Sequence, residues 1–232
     1  MVTMNTLAQR FLRKEEQERI TQTVREMERQ TSGEIVPMVV SASHSYPEAT
    51  LTGAALLSFP LALLAAFAAG NLLWWRGEVL WLFLLFFLLF FTGARLLMRS
   101  PALLRPFIRD TRAEAEVRRA ALAHFYSEGL QHTRDATGVL IYISVLERKV
   151  WILGDRGINE RLAPQTWQHC VDRLVQGIKE KRQGAALCAT IAEIGSLLRE
   201  HFPIKADDRN ELSDLMIVDA ESDAGKRQLV VR

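Results

Sequence analysis

Hydrophobic residues along this chain fall into two regimes, one long and continuous, the other short and periodic. The continuous regime lies between Glu48 and Met98. Twenty-seven uncharged residues separate Glu48 from Arg76, and sixteen more separate Glu78 from Arg95. A helix needs about 20 mostly apolar residues to cross the hydrocarbon core of a bilayer. The first run reaches that length easily, with Pro60 as an expected kink. The second reaches it as Val79–Met98, with Arg95 near its end, from where a long side chain snorkels to the headgroups. Trp74, Trp75 and Trp81 gather around Arg76-Gly77-Glu78, as in an aromatic belt at one interface. The pattern predicts a two-helix transmembrane hairpin over residues 49–98, with spans of about 51–73 and 79–98.

The periodic regime surrounds it. Thr6–Gln30 reads as one amphipathic helix with Leu12, Ile20, Val24 and Met27 on its buried stripe, ended by Thr31-Ser32-Gly33. Glu34–Ser41 follows as a strand apolar on both faces, which suits a buried position. Beyond the hairpin, Thr111 and Glu114 form a capping box for a helix from about Arg112 to His132, with Val117, Ala121, Phe125 and Leu130 inward. Gly138–Val145 and Lys149–Leu153 read as two strands joined by a tight turn near Glu147-Arg148, and Gly154–Gly157 as a loop. Pro164 opens a helix with Trp167, Val171, Leu174 and Ile178 on one face. Gly184 separates it from a last helix carrying Leu187, Ile191, Ile194 and Leu198, which Pro203 stops. Leu212–Val218 and Leu229–Val231 each have the composition of a short strand. Neither half has enough strands for its own sheet. The economical arrangement is one α/β domain with strand 34–41 beside strand 138–145, the hairpin being an insertion within it. Residues 1–42 and 110–218 then make up the domain, and residues 219–232 a flexible tail.

Charge adds direction to this picture. Arg99, Arg105, Arg109 and Arg112 follow the second span, whereas the turn carries only Arg76, offset by Glu78. Positive-inside counting puts both flanks and both termini in the cytoplasm. The same four arginines have a second reading, contact with anionic lipid headgroups, so the bilayer itself is an expected partner. A net charge of +2 gives no argument for nucleic acid, which is not expected as a partner. No apolar run lies within Met1–Lys14, so insertion is expected to depend on the internal hairpin. Cys170 and Cys188 fall on apolar helix faces and read as core residues of a chain in a reducing compartment.

Familiar catalytic signatures are missing: no phosphate loop, GxGxxG, HExxH, GxSxG or paired CxxC. The five histidines are scattered, and no catalytic residue can be named. What remains is a set of carboxylates near strand ends and loops, Glu34, Glu147, Asp155 and Glu160. Ca²⁺ and Mg²⁺ take oxygen ligands of this kind from several loops, although acids beside turns are usually solvated.

Several blocks together resemble one family. Thr31-Ser32-Gly33-Glu34-Ile35 before a strand is similar to the opening motif of TPM domains. So is Thr137–Ser144, followed by Glu147-Arg148-Lys149 and Ile152–Ile158. Trp167, Gly177, Gly184, Phe202-Pro203 and Asn210-Glu211-Leu212 look like the C-terminal half of a bacterial branch. The family takes its name from thylakoid-lumen, photosystem II repair and acetylcholine-receptor-modulating proteins. The resemblance implies an α/β/α sandwich, and by position Glu34, Glu147 and Asp155 as ligands of a divalent cation, Ca²⁺ or Mg²⁺. It also implies a bacterial protein, which with the hairpin means the inner membrane. Some members are described as phosphatases and others act through partner proteins. The chain departs from many members in holding its hydrophobic segment inside the domain and in reading Leu146-Glu147-Arg148 where relatives have aspartates. Two functions are therefore expected. The first is a membrane-anchored interaction, assembly or repair module for a membrane-associated protein; the alternative is a divalent-cation-dependent phosphatase.

Overall fold

The computed structural model describes residues 6–72, 79–133, 136–204 and 212–218. The Trp74-Trp75 pair with its turn, strand Leu229–Val231 and the expected flexible tail lie outside the described residues. The chain divides into two compact units, residues 1–44 with 113–232, and residues 45–112.

The first unit is built on a four-stranded sheet of order β3-β2-β1-β4. Its strands are β1 (Glu34–Val40), β2 (Gly138–Ser144), β3 (Lys149–Gly154) and β4 (Met216–Val218). β1 lies beside β2, as the sequence predicts, and the pairing is parallel, from Glu34 opposite Gly138 to Val40 opposite Ser144. β4 joins the other edge of β1 in parallel, and β3 returns antiparallel to β2. Every residue of β1 and β2 is buried, which is why both read as unbroken apolar runs and not as alternating ones.

Helices cover both faces. On one, Ile35, Val39, Val139, Ile141, Ile143, Val150 and Ile152 pack under α1 (Leu7–Phe11), α2 (Lys14–Glu28), α7 (Arg156–Asn159), α8 (Pro164–Lys179) and α9 (Gln183–His201). On the other, Val36, Met38, Val40, Leu140 and Tyr142 meet Val117, Ala121 and Phe125 of α6 (Asp110–Ser127) and Leu130 of a following 3-10 turn. The stripes read from the sequence face the core, with Met27, Val171 and Ile178 half-buried at its margin. Leu187, Ile191, Ile194 and Leu198 are fully enclosed. Gly177 brings α8 against α9, since a Cβ there would lie 2.3 Å from the Cβ of Ala186.

Three boundaries differ from the expectation. The first helix breaks at Leu12, whose backbone is extended, and α2 restarts at Lys14 with Glu16 Oε2 accepting from Arg13 N at 2.9 Å. Leu12 is buried all the same, so the apolar stripe runs across the break and conceals it in the sequence. The helix expected to reach His132 stops at Ser127, because Gly129 takes a left-handed conformation (φ 78°). The expected Gly154–Gly157 loop is divided between elements: Gly154 ends β3, Arg156 and Gly157 open α7, and Asp155 caps that helix, its Oδ1 accepting from Arg156 N at 2.6 Å.

The second unit is a pair of long apolar helices, α3 (Pro47–Leu72) and α4 (Val79–Leu97), followed by the short α5 (Pro101–Leu104) and a 3-10 turn over Arg105–Phe107. α3 runs through Pro60 without ending. Its buried residues are all small (Ala49, Gly53, Ala54, Ser58, Ala62, Ala66 and Gly70), recurring about every fourth position. Small side chains at this spacing let two helix backbones approach closely. Both helices are long and apolar enough to cross a membrane.

Candidate functional site

The three carboxylates that the resemblance implies as cation ligands do not come together. Glu34 opens β1 opposite Gly138, whereas Glu147 lies in the turn after β2, beyond Ser144. Six register steps at about 3.3 Å each put them about 20 Å apart, at opposite ends of the sheet. Asp155 is at the Glu34 end, where its N–H donates to Gly138 O at 2.8 Å. Strand β2 stands between those two positions, so their backbones are about 10 Å apart. A single ion held by Glu34, Glu147 and Asp155 does not fit this geometry. Among the described residues, no group of three or more His, Cys, Asp or Glu is placed to hold a metal ion.

Glu147 has a different role. It is fully buried, and its carboxylate is met by donors from two segments. Ser43 N donates to Oε1 at 2.9 Å, and the Ser144 hydroxyl donates to Oε2. Ser43 Oγ in turn donates to Ser144 Oγ at 2.9 Å and lies 3.1 Å from the Tyr142 hydroxyl. A hydroxyl has one proton to give, so Tyr142 is the donor in that last pair. The result is an ordered chain, Tyr142 to Ser43 to Ser144 to Glu147. The β2–β3 turn is shaped to deliver this carboxylate: Val145 N and Leu146 N donate to Val40 O and Ser41 O, and Arg148 takes a left-handed conformation (φ 56°). Glu147 thus clasps the segment leaving β1, two residues before the first unit gives way at Ser45. In open α/β sheets this end, the carboxyl end of the parallel strands, is where ligands usually bind. Here the network fills it.

The opposite end carries a group of acids that the sequence did not reveal. Glu28, the last residue of α2, is mostly buried and accepts from Ile35 N at 3.0 Å. It also shares a hydrogen bond with Glu34, itself buried, and lies near Asp214. Arg25 engages Asp214 Oδ2 through both Nε and Nη2 at 2.8 Å. Burial, and then the neighbouring charge of Glu34, push the Glu28 carboxyl up to about 9. Protonated, it can accept from Ile35 N and donate to Glu34 together. No sequence signal marks this group, because Asp214 lies in a stretch without periodicity.

The Thr31–Gly33 segment also has a structural task at this end. Thr31 Oγ1 and Ser32 N both donate to Phe202 O, at 2.6 and 3.1 Å, and Thr137 Oγ1 donates to Ser32 O at 2.9 Å. Around the following loop, Trp167 Nε1 donates to Asn159 Oδ1 at 3.2 Å, and Asn159 Nδ2 donates to Gly154 O at 2.5 Å. Asp155 Oδ2 is buried here without a hydrogen-bond partner among the described residues. Glu160 is exposed and pairs with Arg156 at 2.8 Å. Cys170 is buried among apolar side chains, which push its thiol up to about 11, so it is an inert core residue.

The four flanking arginines separate in the second unit. Arg105 pairs with Asp110 at 2.6 Å, and Arg112 pairs with Glu48. Arg99 and the exposed Arg109 have no such partner among the described residues, and neither does Arg95.

Residues 107–197 match the family model described as the TPM domain. That segment holds Thr137–Ser144, Glu147–Lys149, Ile152–Ile158, Trp167, Gly177 and Gly184. Thr31–Ile35, Phe202-Pro203 and Asn210–Leu212 lie outside it. The chain is also similar in fold to the NMR structure of BA42 protein from the psychrophilic bacterium Bizionia argentinensis. The TM-score is 0.55 at 21% identity, over 90% of this chain and 96% of that one. No curated protein matches the chain.

Two outcomes follow for stability. Glu147→Ala strands two buried donors, and each such loss costs about 1–3 kcal/mol. Denaturant titration of the full chain should therefore give a loss of about 2–6 kcal/mol; a change under about 0.5 kcal/mol contradicts the clasp. For Glu28 the folded carboxyl titrates near 9 against an ordinary 4.5. Its contribution is complete below about pH 4.5 and is lost as pH rises towards 9. Glu28→Gln imitates the protonated form, so its melting temperature should exceed the parent's at pH 8.5 and match it at pH 5. Equal differences at both pH values contradict the assignment.

Proposed function

We propose that this TPM-domain protein is anchored in a membrane by its α3–α4 hairpin and acts there as an interaction, assembly or repair module for a membrane-associated protein partner. The observation that carries this reading is the outward surface of the two helices. Leu64, Phe67, Leu80, Trp81 and Leu88 are each 66–68% exposed, and many further Leu and Phe side chains of both helices accompany them. Soluble monomers rarely present so large an apolar surface to water, whereas lipid chains cover it without loss. The cluster Arg99, Arg105, Arg109 and Arg112 supports a cytoplasmic position for both flanks at a bacterial inner membrane. An insertion joined to its domain at both ends holds that domain at the bilayer by two chain connections, which suits a partner fixed in the same membrane.

A second reading, the divalent-cation-dependent phosphatase, is favoured by one feature, the buried and unpartnered Asp155 Oδ2. Against it stands Glu147, whose carboxylate is occupied in holding Ser43 and Ser144.

Membranes carrying the full chain, washed with alkaline carbonate and then solubilised gently, test the two readings together. The first expects the chain to stay with the lipid and to copurify with a stoichiometric membrane protein. Release by carbonate contradicts the anchor. Phosphoester hydrolysis dependent on Ca²⁺, Mg²⁺ or Mn²⁺ and abolished in Asp155→Asn would replace the module by the enzyme.

A further inference from the structure

Where the beginning of α3 meets the end of α4, the hairpin has a cleft of about 490 Å³. Its lining joins two chemistries: Leu51 and Leu96 are apolar, while Arg95 and Arg99 bring two positive charges. The arginines are four residues apart, so both reach the same side of the helix end. Thr50 and Thr92 line the cleft too, but their hydroxyls already donate within α3 and α4, to Tyr46 O at 3.2 Å and Leu88 O at 2.8 Å. Donors for a ligand must therefore come from the guanidinium groups.

Charge accounting within this unit leaves those groups without a complement. Its described carboxylates, Glu48 and Asp110, are engaged by Arg112 and Arg105. Arg95 and Arg99 have no ion-pair partner among the described residues, although Arg95 stands on a helix with no other charged residue. A ligand that suits this lining offers acceptor oxygens to two guanidinium groups while its remainder lies along leucine side chains.

We propose that this cleft binds the phosphate headgroup of an anionic phospholipid, with Arg95 and Arg99 on the phosphate oxygens and Leu51 and Leu96 against the first methylenes of its chains. Guanidinium groups pair with phosphate through two parallel hydrogen bonds, a geometry that lysine cannot reproduce. The lipid in place supplies the negative charge that the unit lacks. The proposal rests on the membrane reading given above, since a lipid site needs a chain that lies in lipid.

The test uses the full chain in neutral detergent, titrated with phosphatidylglycerol or phosphatidylcholine, with the thermal unfolding midpoint and lipid retention in native mass spectrometry as readouts. Phosphatidylglycerol should raise the midpoint and remain bound, and phosphatidylcholine should do neither. Arg95→Gln and Arg99→Gln should each weaken the phosphatidylglycerol response roughly fivefold, and Arg10→Gln, in the other unit, should leave it unchanged. Arg95→Lys with Arg99→Lys preserves the charge and should keep part of the response, which covers the case of a glutamine variant that fails to fold. Equal responses to the two lipids, or an undiminished response in the double glutamine variant, overturn the site. Inorganic phosphate that reproduces the shift by itself assigns the cleft to a free anion and overturns the lipid. Release of the chain from membranes by carbonate removes the anchor reading instead, so the two failures are distinct.

Discussion

The parallel pairing of β1 with β2 is the contact on which the rest of this architecture depends. It joins strands separated by 97 residues, and the whole hairpin lies between them. Loop closure becomes costlier only slowly with length: by logarithmic scaling, this connection costs about 1 kcal/mol more than an ordinary crossover of about 30 residues. Two buried seven-residue strands offset that easily. The hairpin also shortens its own effective loop. α3 and α4 run back along each other, and Glu48 in the first turn of α3 pairs with Arg112 beyond the end of α4. An insertion whose ends return to one place can be accommodated between a strand and its partner without pulling them apart.

Seen from that pairing, the polar groups at the two sheet ends have different tasks. At the carboxyl ends of β1 and β2, the chain from Tyr142 through Ser43 and Ser144 to Glu147 fixes the backbone just before it leaves for the hairpin. At the other end, Glu28 and Glu34 are joined by a hydrogen bond at the junction of α2 with β1, and Arg25 secures Asp214 ahead of β4. Both arrangements bind segments far apart in sequence to the central strand. The familiar motif residues Thr31, Phe202, Trp167 and Gly154 do the same work through backbone and indole hydrogen bonds. Much of what resembles TPM domains in this sequence is thus the means of closing its fold.

How much of this was legible beforehand depended on the range of the interaction involved. Stripes at helical spacing, such as Leu187 to Leu198, and the doubly buried strands came directly from the sequence because they report local burial. The pairing of β1 with β2 followed from counting strands. The break at Leu12 stayed hidden because its side chain keeps its place in the buried stripe. Glu147 could be seen to sit in a turn, but nothing local indicates that Ser43, 104 positions away, supplies a backbone donor to it. A buried acceptor and a solvated acid have the same letter. Glu28 and Asp214 escaped for that reason too, being brought together only once β4 docks beside β1.

The central proposal is that the hairpin between the paired strands crosses a membrane with both its flanks on the cytoplasmic side, and single-cysteine labelling in sealed inverted and right-side-out vesicles tests it most directly. In a chain carrying Cys170→Ala and Cys188→Ala, the probes are Leu64→Cys within α3, Gly77→Cys between the two helices and Ser222→Cys near the C-terminus. A membrane-impermeant maleimide should label Gly77→Cys from outside only, Ser222→Cys from the cytoplasmic face only, and Leu64→Cys from neither. Labelling of Gly77→Cys and Ser222→Cys from the same face, or free labelling of Leu64→Cys, would contradict the account.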